Sequence, residues 1–404
     1  MNRELRLFTA LGPGDIVGAR RKQLNGTIIN ETSIAFSEQL LAYCRSRNIR
    51  TLAISSNGQA DRLDDETITL ENRPKPFQGR GGFRFHLSQL FYGVSLALSA
   101  HRFKADIALI DSGTTHYFVL SIFRLLGIRV AVNLHNVLWP CGFPPKSFTA
   151  RTIQQLNGLF FRYAASGAVG VSPECERQVL AESRNAIPFY QYRCQFSRDG
   201  FVLSRPYQSG TFRIVFAGRA EENKGLLDIT RIAAALRTSS PVKVVFDVCG
   251  DGPAIPELNK MIEKDRLSDV VKVHGRLERD ALLAVYTASH AAIVPTRSNF
   301  TEGMPQVCAE AILSGLPVIT SQLANAFDVI GPATVRAEPD DTESYVKSIL
   351  SLINDPLLYA NLRNACSQLS QQFLDPTQSY PAAVDRLLRS ILANDDRIDR
   401  YELL

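Results

Sequence analysis

Residues 212–225 read Phe212-Arg-Ile-Val-Phe-Ala217-Gly218-Arg219-Ala-Glu-Glu-Asn-Lys224-Gly225, and apolar positions at helical spacing follow over 226–237. A short β-rich run, a glycine-bearing turn and a helix form the repeating unit of a parallel sheet. The unit recurs downstream, with strands predicted over 242–248, 270–274, 291–294 and 316–320 and helices over 256–265, 280–288 and 305–314. Gly315 stands where a C-cap glycine belongs, between the last helix and the last strand. Upstream, strands over 5–11, 51–55, 106–110, 129–134 and 168–172 alternate with helices over 31–48, 87–99, 117–126 and from 173. The turn formers Ser204-Arg-Pro-Tyr-Gln-Ser-Gly210 divide the two runs. The expected architecture is α/β: two Rossmann-like, doubly wound parallel-sheet domains, 1–205 and 206–375, facing across a cleft. A last helix over 378–393, within 376–404, is expected to cross back to the first domain. Ligands of such sheets bind beyond the carboxyl ends of the strands, so the cleft is the expected site.

The composition of the 404 residues, 45% hydrophobic and 21% charged, excludes a disordered chain. No apolar run approaches the roughly 20 residues that span a bilayer. The N-terminal sequence breaks at Gly12-Pro13-Gly14-Asp15 before a signal-peptide core forms. Seven scattered cysteines without a C-x-x-C pair make neither a disulfide framework nor a zinc ribbon, and a reducing cytoplasm is the expected compartment.

Two segments carry chemistry. In the first, Asn299-Phe-Thr-Glu302-Gly303-Met304-Pro305-Gln306-Val307-Cys308-Ala309-Glu310, proline at the first helical turn leaves the neighbouring amides aimed at whatever occupies the helix N-terminus. Glu302 lies on the loop, and Glu310 lies about one and a half turns into an otherwise apolar helix. One carboxylate can reach a reacting group and the other the vicinal hydroxyls at the far end of a long ligand. The second segment is the loop carrying Gly218, Arg219 and Lys224, at the carboxyl end of its strand. A planar guanidinium and a mobile ammonium there suit phosphate oxygens. No D-x-D tripeptide occurs, so the simplest metal-diphosphate site is missing.

These motifs, with Cys249-Gly-Asp-Gly252, His274-Gly275 and Ser314-Gly-Leu-Pro-Val-Ile319, resemble in order and spacing the retaining GT-B glycosyltransferases of family 4, the glycosyl transferases group 1. The resemblance covers about 205–375. It is looser over the first half, where it rests on Val132-Asn-Leu-His135-Asn136, Gly170-Val-Ser172-Pro173 and a glycine-containing first loop. The resemblance implies a nucleotide-diphosphate sugar donor, with Arg219, Lys224 and Gly218 at the diphosphate and Glu310 at the ribose. It further implies Glu302, with Gly303 and Met304, at the donor sugar, and His135 facing that sugar from across the cleft. Gly14 and Gly26 are both candidates for the acceptor-side loop glycine, and Asn136 for a neighbouring contact. It implies metal-independent transfer without a cofactor, onto a lipid-linked or polysaccharide acceptor.

Charge divides unevenly. Residues 1–205 hold 25 Lys/Arg against 15 Asp/Glu, net +10, and 206–404 hold 20 against 25, net −5. The Pro/Gly-rich loop 73–85, with Arg73, Lys75, Arg80, Arg84 and three phenylalanines, suits an anionic membrane surface and predicts a peripheral cytoplasmic location. Residues 148–163 are a second amphipathic candidate, although core packing explains Phe160 and Phe161 equally well. A nucleotide-sugar 2-epimerase of the same fold is the competing enzyme class. Nucleic-acid binding by the basic half is a third reading, and no RNP-like motif or zinc spacing supports it.

Overall fold

The computed structural model describes residues 4–26, 35–77 and 82–393. The first half contains β1 (Arg6–Leu11), α1 (Ile16–Leu24), α2 (Phe36–Ser46), β2 (Arg50–Ser55), β3 (Asp61–Asp65), β4 (Ile68–Asn72) and α3 (Phe83–Phe103). It continues with β5 (Ile107–Asp111), α4 (Ser121–Leu125), β6 (Arg129–Leu134), α5 (Phe148–Tyr163), β7 (Ala165–Gly170), α6 (Pro173–Ser183) and β8 (Phe189–Gln191). These strands form one sheet in the order β3-β4-β2-β1-β5-β6-β7-β8, parallel except for β3 on β4.

The second half contains β9 (Phe212–Ala217), α7 (Asp228–Ser239), β10 (Val244–Cys249), α8 (Ile255–Lys264), β11 (Val271–Gly275), α9 (Arg279–Ala288) and β12 (Ala291–Val294). After them come α10 (Gln306–Leu313), β13 (Val318–Thr320), α11 (Phe327–Ile330), β14 (Thr334–Arg336), α12 (Thr342–Asn354), α13 (Pro356–Leu369) and α14 (Tyr380–Ala393). Its sheet, β11-β10-β9-β12-β13-β14, is wholly parallel. Central strands β5, β10 and β12 are buried along their entire length, as parallel strands covered by helices on both faces must be. In both sheets the strand order reverses beside the first strand of its half, which opens a crevice at the carboxyl ends.

Three differences from the sequence reading have physical causes. The β3–β4 hairpin is formed by Asp61-Arg-Leu-Asp-Asp65, a charged run whose outward residues stay wet because β3 is an edge strand. The motif-led reading assigns nothing between Thr320 and Asp375, where β14, α12 and α13 complete the second sheet and its cover. Pro305 precedes α10 rather than sitting in its first turn. The last helix, α14, packs on β7, β8 and α2, so the chain returns to the first sheet.

Candidate functional site

Between the two sheets lies a cleft of about 750 Å³. Its floor is made where the loops after β9 and β10 meet. Gly250, at φ +149°, makes this possible, since a Cβ there would stand 1.8 Å from the Gly218 carbonyl oxygen. Gly218 N–H donates to Cys249 O at 3.0 Å and Ala220 N–H to Asp251 O at 2.9 Å, locking the two loops together. Gly218, Arg219 and Lys224 line this floor. Arg219 is exposed and paired with Glu221 at 2.8 Å. Lys224 is half-buried, its ammonium 4.3 Å from the Phe300 ring centre and ion-paired with Glu302. A diphosphate reaching these cations competes with carboxylates already on them.

The far wall comes from the loop into α10. Met304, Pro305, Gln306, Val307 and Glu310 all face the cleft, and α10 has no side-chain N-cap, so its first amides and dipole are directed there. Glu310 is buried and accepts a 2.6 Å hydrogen bond from Tyr286, whose phenol is held protonated by burial. Glu302 is also buried, and its backbone carbonyl accepts from Asn325 Nδ2 at 2.6 Å. Gly303 also has a packing role. A Cβ on it would stand 1.9 Å from the His135 carbonyl oxygen, so this glycine is where the second half touches the first.

His135 faces the cleft from the end of β6, together with Phe36, whose ring stacks on the imidazole with 4.9 Å between centres. A buried polar cluster holds the ring. Asp111 Oδ2 lies 3.2 Å from Nε2, Asn133 Nδ2 lies 2.9 Å from the same nitrogen, and the Tyr192 hydroxyl lies 3.0 Å from Nδ1. Asn133 Nδ2 also donates to Asp111 Oδ1 at 2.8 Å and to the Tyr380 hydroxyl at 3.1 Å, the latter from α14. Burial raises the phenols of Tyr192 and Tyr380, keeping both neutral. The sequence reading missed these partners. A signal existed for Asp111, which ends β5 directly beside Asn133 on β6. Thr296 was missed too; it lines the cleft, and its buried hydroxyl has no hydrogen-bond partner among the described residues.

The acceptor-side candidates do not converge. Gly14 lines a separate pocket of about 210 Å³ with Asp15, Arg20 and Glu38. Gly26 is exposed just after α1, and Asn136 is half-buried outside the cleft lining. Among the described residues, no three His, Cys, Asp or Glu side chains are grouped to hold a metal ion.

In the loop over 73–85, part of the positive charge turns inward. Arg73 is bound to Glu71 at 2.7 Å and Ser99 at 2.9 Å, and Lys75 donates to the Gly113 carbonyl at 2.9 Å. Burial pulls the Lys75 ammonium down to about 8. Two of the loop's four cations are therefore spent inside the fold, and Arg80 lies outside the described residues. On α5, Phe160 and Phe161 are core residues, while Phe148 and Tyr163 are exposed. Among the described residues no helix is long and apolar enough to cross a membrane.

Residues 205–372 match the family model described as glycosyl transferases group 1. The glycogen synthase of Mycobacterium tuberculosis is 26% identical over 158 residues, which cover 39% of this chain and 37% of that protein. The chain's match thus spans little more than a third of that relative. Over nearly the whole length the fold is shared with the sucrose-phosphate synthase of Thermosynechococcus elongatus, with TM-score 0.71 and 13% identity, covering 97% of this chain and 100% of that one. The Anabaena protein HepE, in complex with UDP and glucose, superimposes with TM-score 0.63 and 15% identity over 97% of this chain and 100% of that one. These likenesses establish the architecture as GT-B.

Proposed function

We propose that this chain, whose residues 205–372 belong to the glycosyl transferases group 1, moves a sugar from a nucleotide-diphosphate sugar to a lipid-linked or polysaccharide acceptor, with retention and without a metal. One observation carries the reading. The cleft gathers Arg219, Lys224 and the N-terminus of α10 on one side and His135 on the other. In this arrangement the cations and helix dipole neutralise a departing diphosphate, which is the main demand of phosphoanhydride cleavage. Glu310 holds the ribose and Glu302 the donor sugar, with Met304 beside it. Lys224 and Tyr286 already engage the two carboxylates, which suits hydroxyl binding better than attack on carbon. Retention then follows from front-face attack, with the leaving diphosphate taking the acceptor's proton. His135, fixed by Asp111 and Tyr192, meets the sugar from the acceptor side. The UDP and glucose bound by HepE support a nucleotide-sugar donor.

The test is a thermal-shift screen against UDP-, GDP- and ADP-sugars. A donor at 100 times its Kd adds about 2.7 kcal/mol to stability. Failure of every nucleotide sugar to raise the melting temperature would refute the reading. Loss of transfer in EDTA, restored by Mg²⁺, would refute metal independence alone.

A further inference from the structure

We infer that the outer face formed by α3, α4 and α5 docks on an anionic lipid bilayer. Of the fifteen large hydrophobic side chains exposed among the described residues, ten lie on these three helices or at their ends. On α3, Phe91, Val94 and Leu98 recur at three- and four-residue spacing along one outward stripe. On α5, Leu156, Leu159 and Tyr163 do the same. Leu125, 84% exposed, ends α4, which lies against α3; the short turn before α4 lies against α5. The stripes therefore belong to one surface.

Charge identifies the occupant. None of the three helices carries an Asp or Glu. Residues 83–163 hold eight Lys/Arg and two Asp, and neither Asp is free on this face. Asp106 accepts the Arg6 amide at 2.9 Å, and Asp111 is buried behind His135. Arg84, Arg124 and Arg151 are exposed among the apolar residues. The basic residues of α1 contrast with these, because Arg20 and Arg21 are neutralised by Asp65 and Asp61 of the hairpin. A second copy of the chain on the same face would set cation against cation. Apolar side chains flanked by unopposed cations fit an interface of acyl chains under anionic headgroups, entered to a depth of about 5–10 Å.

The face also has a direction. The helices α3 and α5 start at the carboxyl-end edge of the first sheet, where His135 stands, and Phe83 and Phe148, 74% and 86% exposed, head them. A bilayer on this face meets the cleft at its acceptor side. That orientation rests on the sugar-transfer reading, whereas the surface itself does not.

The test pellets the full chain with vesicles of phosphatidylcholine alone or with about one-third phosphatidylglycerol, at 0.1 M and 1 M salt, across which the Debye length falls from about 10 Å to about 3 Å. Anionic vesicles should carry down at least about tenfold more protein than neutral ones, and high salt should release most of it. The variant Phe91→Ser/Leu98→Ser/Leu159→Ser should lose that binding, and Leu357→Ser, an exposed leucine on α13, should retain it. Equal binding to neutral vesicles, no binding by the native chain, or full binding by the triple variant would overturn the inference. So would gel filtration showing a native dimer that the triple variant converts to monomer. Nucleotide-sugar thermal shifts run on the same variants should be unchanged, which separates failure of this inference from failure of the sugar-transfer reading.

Discussion

The Lys224 ammonium donates to the Glu302 carboxylate, tying the loop after β9 to the loop before α10 on one side of the cleft, with the two side chains 17% and 9% exposed. Removing one member of a pair that is mostly shielded from water leaves the other charge poorly compensated. Lys224→Ala and Glu302→Ala should therefore each cost about 1–3 kcal/mol of stability by urea unfolding, less than a fully buried pair would. The double variant Lys224→Met/Glu302→Gln should cost much less than the sum. Strict additivity would mean the two groups are not coupled.

The two glutamates should separate in kinetics. Glu310→Ala should mainly raise the donor's dissociation constant, and Tyr286→Phe should move it in the same direction by a smaller factor. Glu302→Ala should mainly lower kcat, by about 100-fold or more if its contact strengthens in the transition state. Isothermal titration with the donor alongside steady-state rates distinguishes these. Equal small losses in both quantities for both variants would remove the assigned roles.

Gly303→Ala tests the junction of the two halves. The added methyl meets the His135 carbonyl, a backbone atom with little room to yield, so the loop must retreat. A cost of about 1–3 kcal/mol is expected from overpacking. Transfer should fall further than donor binding, because Arg219 and Glu310 keep their places while the Glu302–Met304 loop shifts away from His135. An unchanged melting temperature would show that the contact relaxes freely.

Much of this site was legible before any coordinates. Gly218, Arg219, Lys224, Glu302, Met304 and Glu310 each sit just beyond the end of a buried parallel strand or in the loop and helix that follow, and local pattern reports such positions well. What pattern could not report is distance across the chain. His135 is read as a strand-end histidine, but the groups that orient it come from β5, from the stretch after β8 and from α14, as far away as Tyr380. Gly303 reads as a ligand-facing glycine, and its close approach to the His135 carbonyl is a contact across the chain that spacing does not report. The positive charge of loop 73–85 is counted correctly from composition, yet Glu71 and a backbone carbonyl take two of its cations inward. The sequence offers 148–163 as an amphipathic candidate but leaves the outward stripe of α3 unread, because spacing alone does not tell which of a helix's faces lies against the sheet.

Acid should weaken the fold through His116. It stacks on Phe118 and sits 3.0 Å from His86, and burial with the nearby His86 and Lys75 charges pulls it down to about 4. Between pH 6.5 and 4 the unfolded chain binds a proton that the folded chain refuses. Stability is therefore full above 6.5, falls as the pH drops towards 4, and loses nothing more from this group below that. His116→Phe keeps the stack and removes the titration, so its urea midpoint should vary less across that window. His290, also pulled down to about 4, continues to contribute in both proteins. Parallel pH profiles for the two proteins would exclude His116 as a source.

Because Tyr380 lies on α14 and closes the hydrogen-bond cluster around Asn133, the imidazole of His135 receives its last support from a residue made 245 positions later. During synthesis the first sheet can assemble while the second is still emerging, but its edge at His135 stays unfinished until α14 leaves the ribosome and docks on β7 and α2. A nascent chain stalled before that point holds a formed second sheet opposite a loosely held histidine. Translation order thus delays completion of the cluster around His135 until nearly all of the described chain is in place.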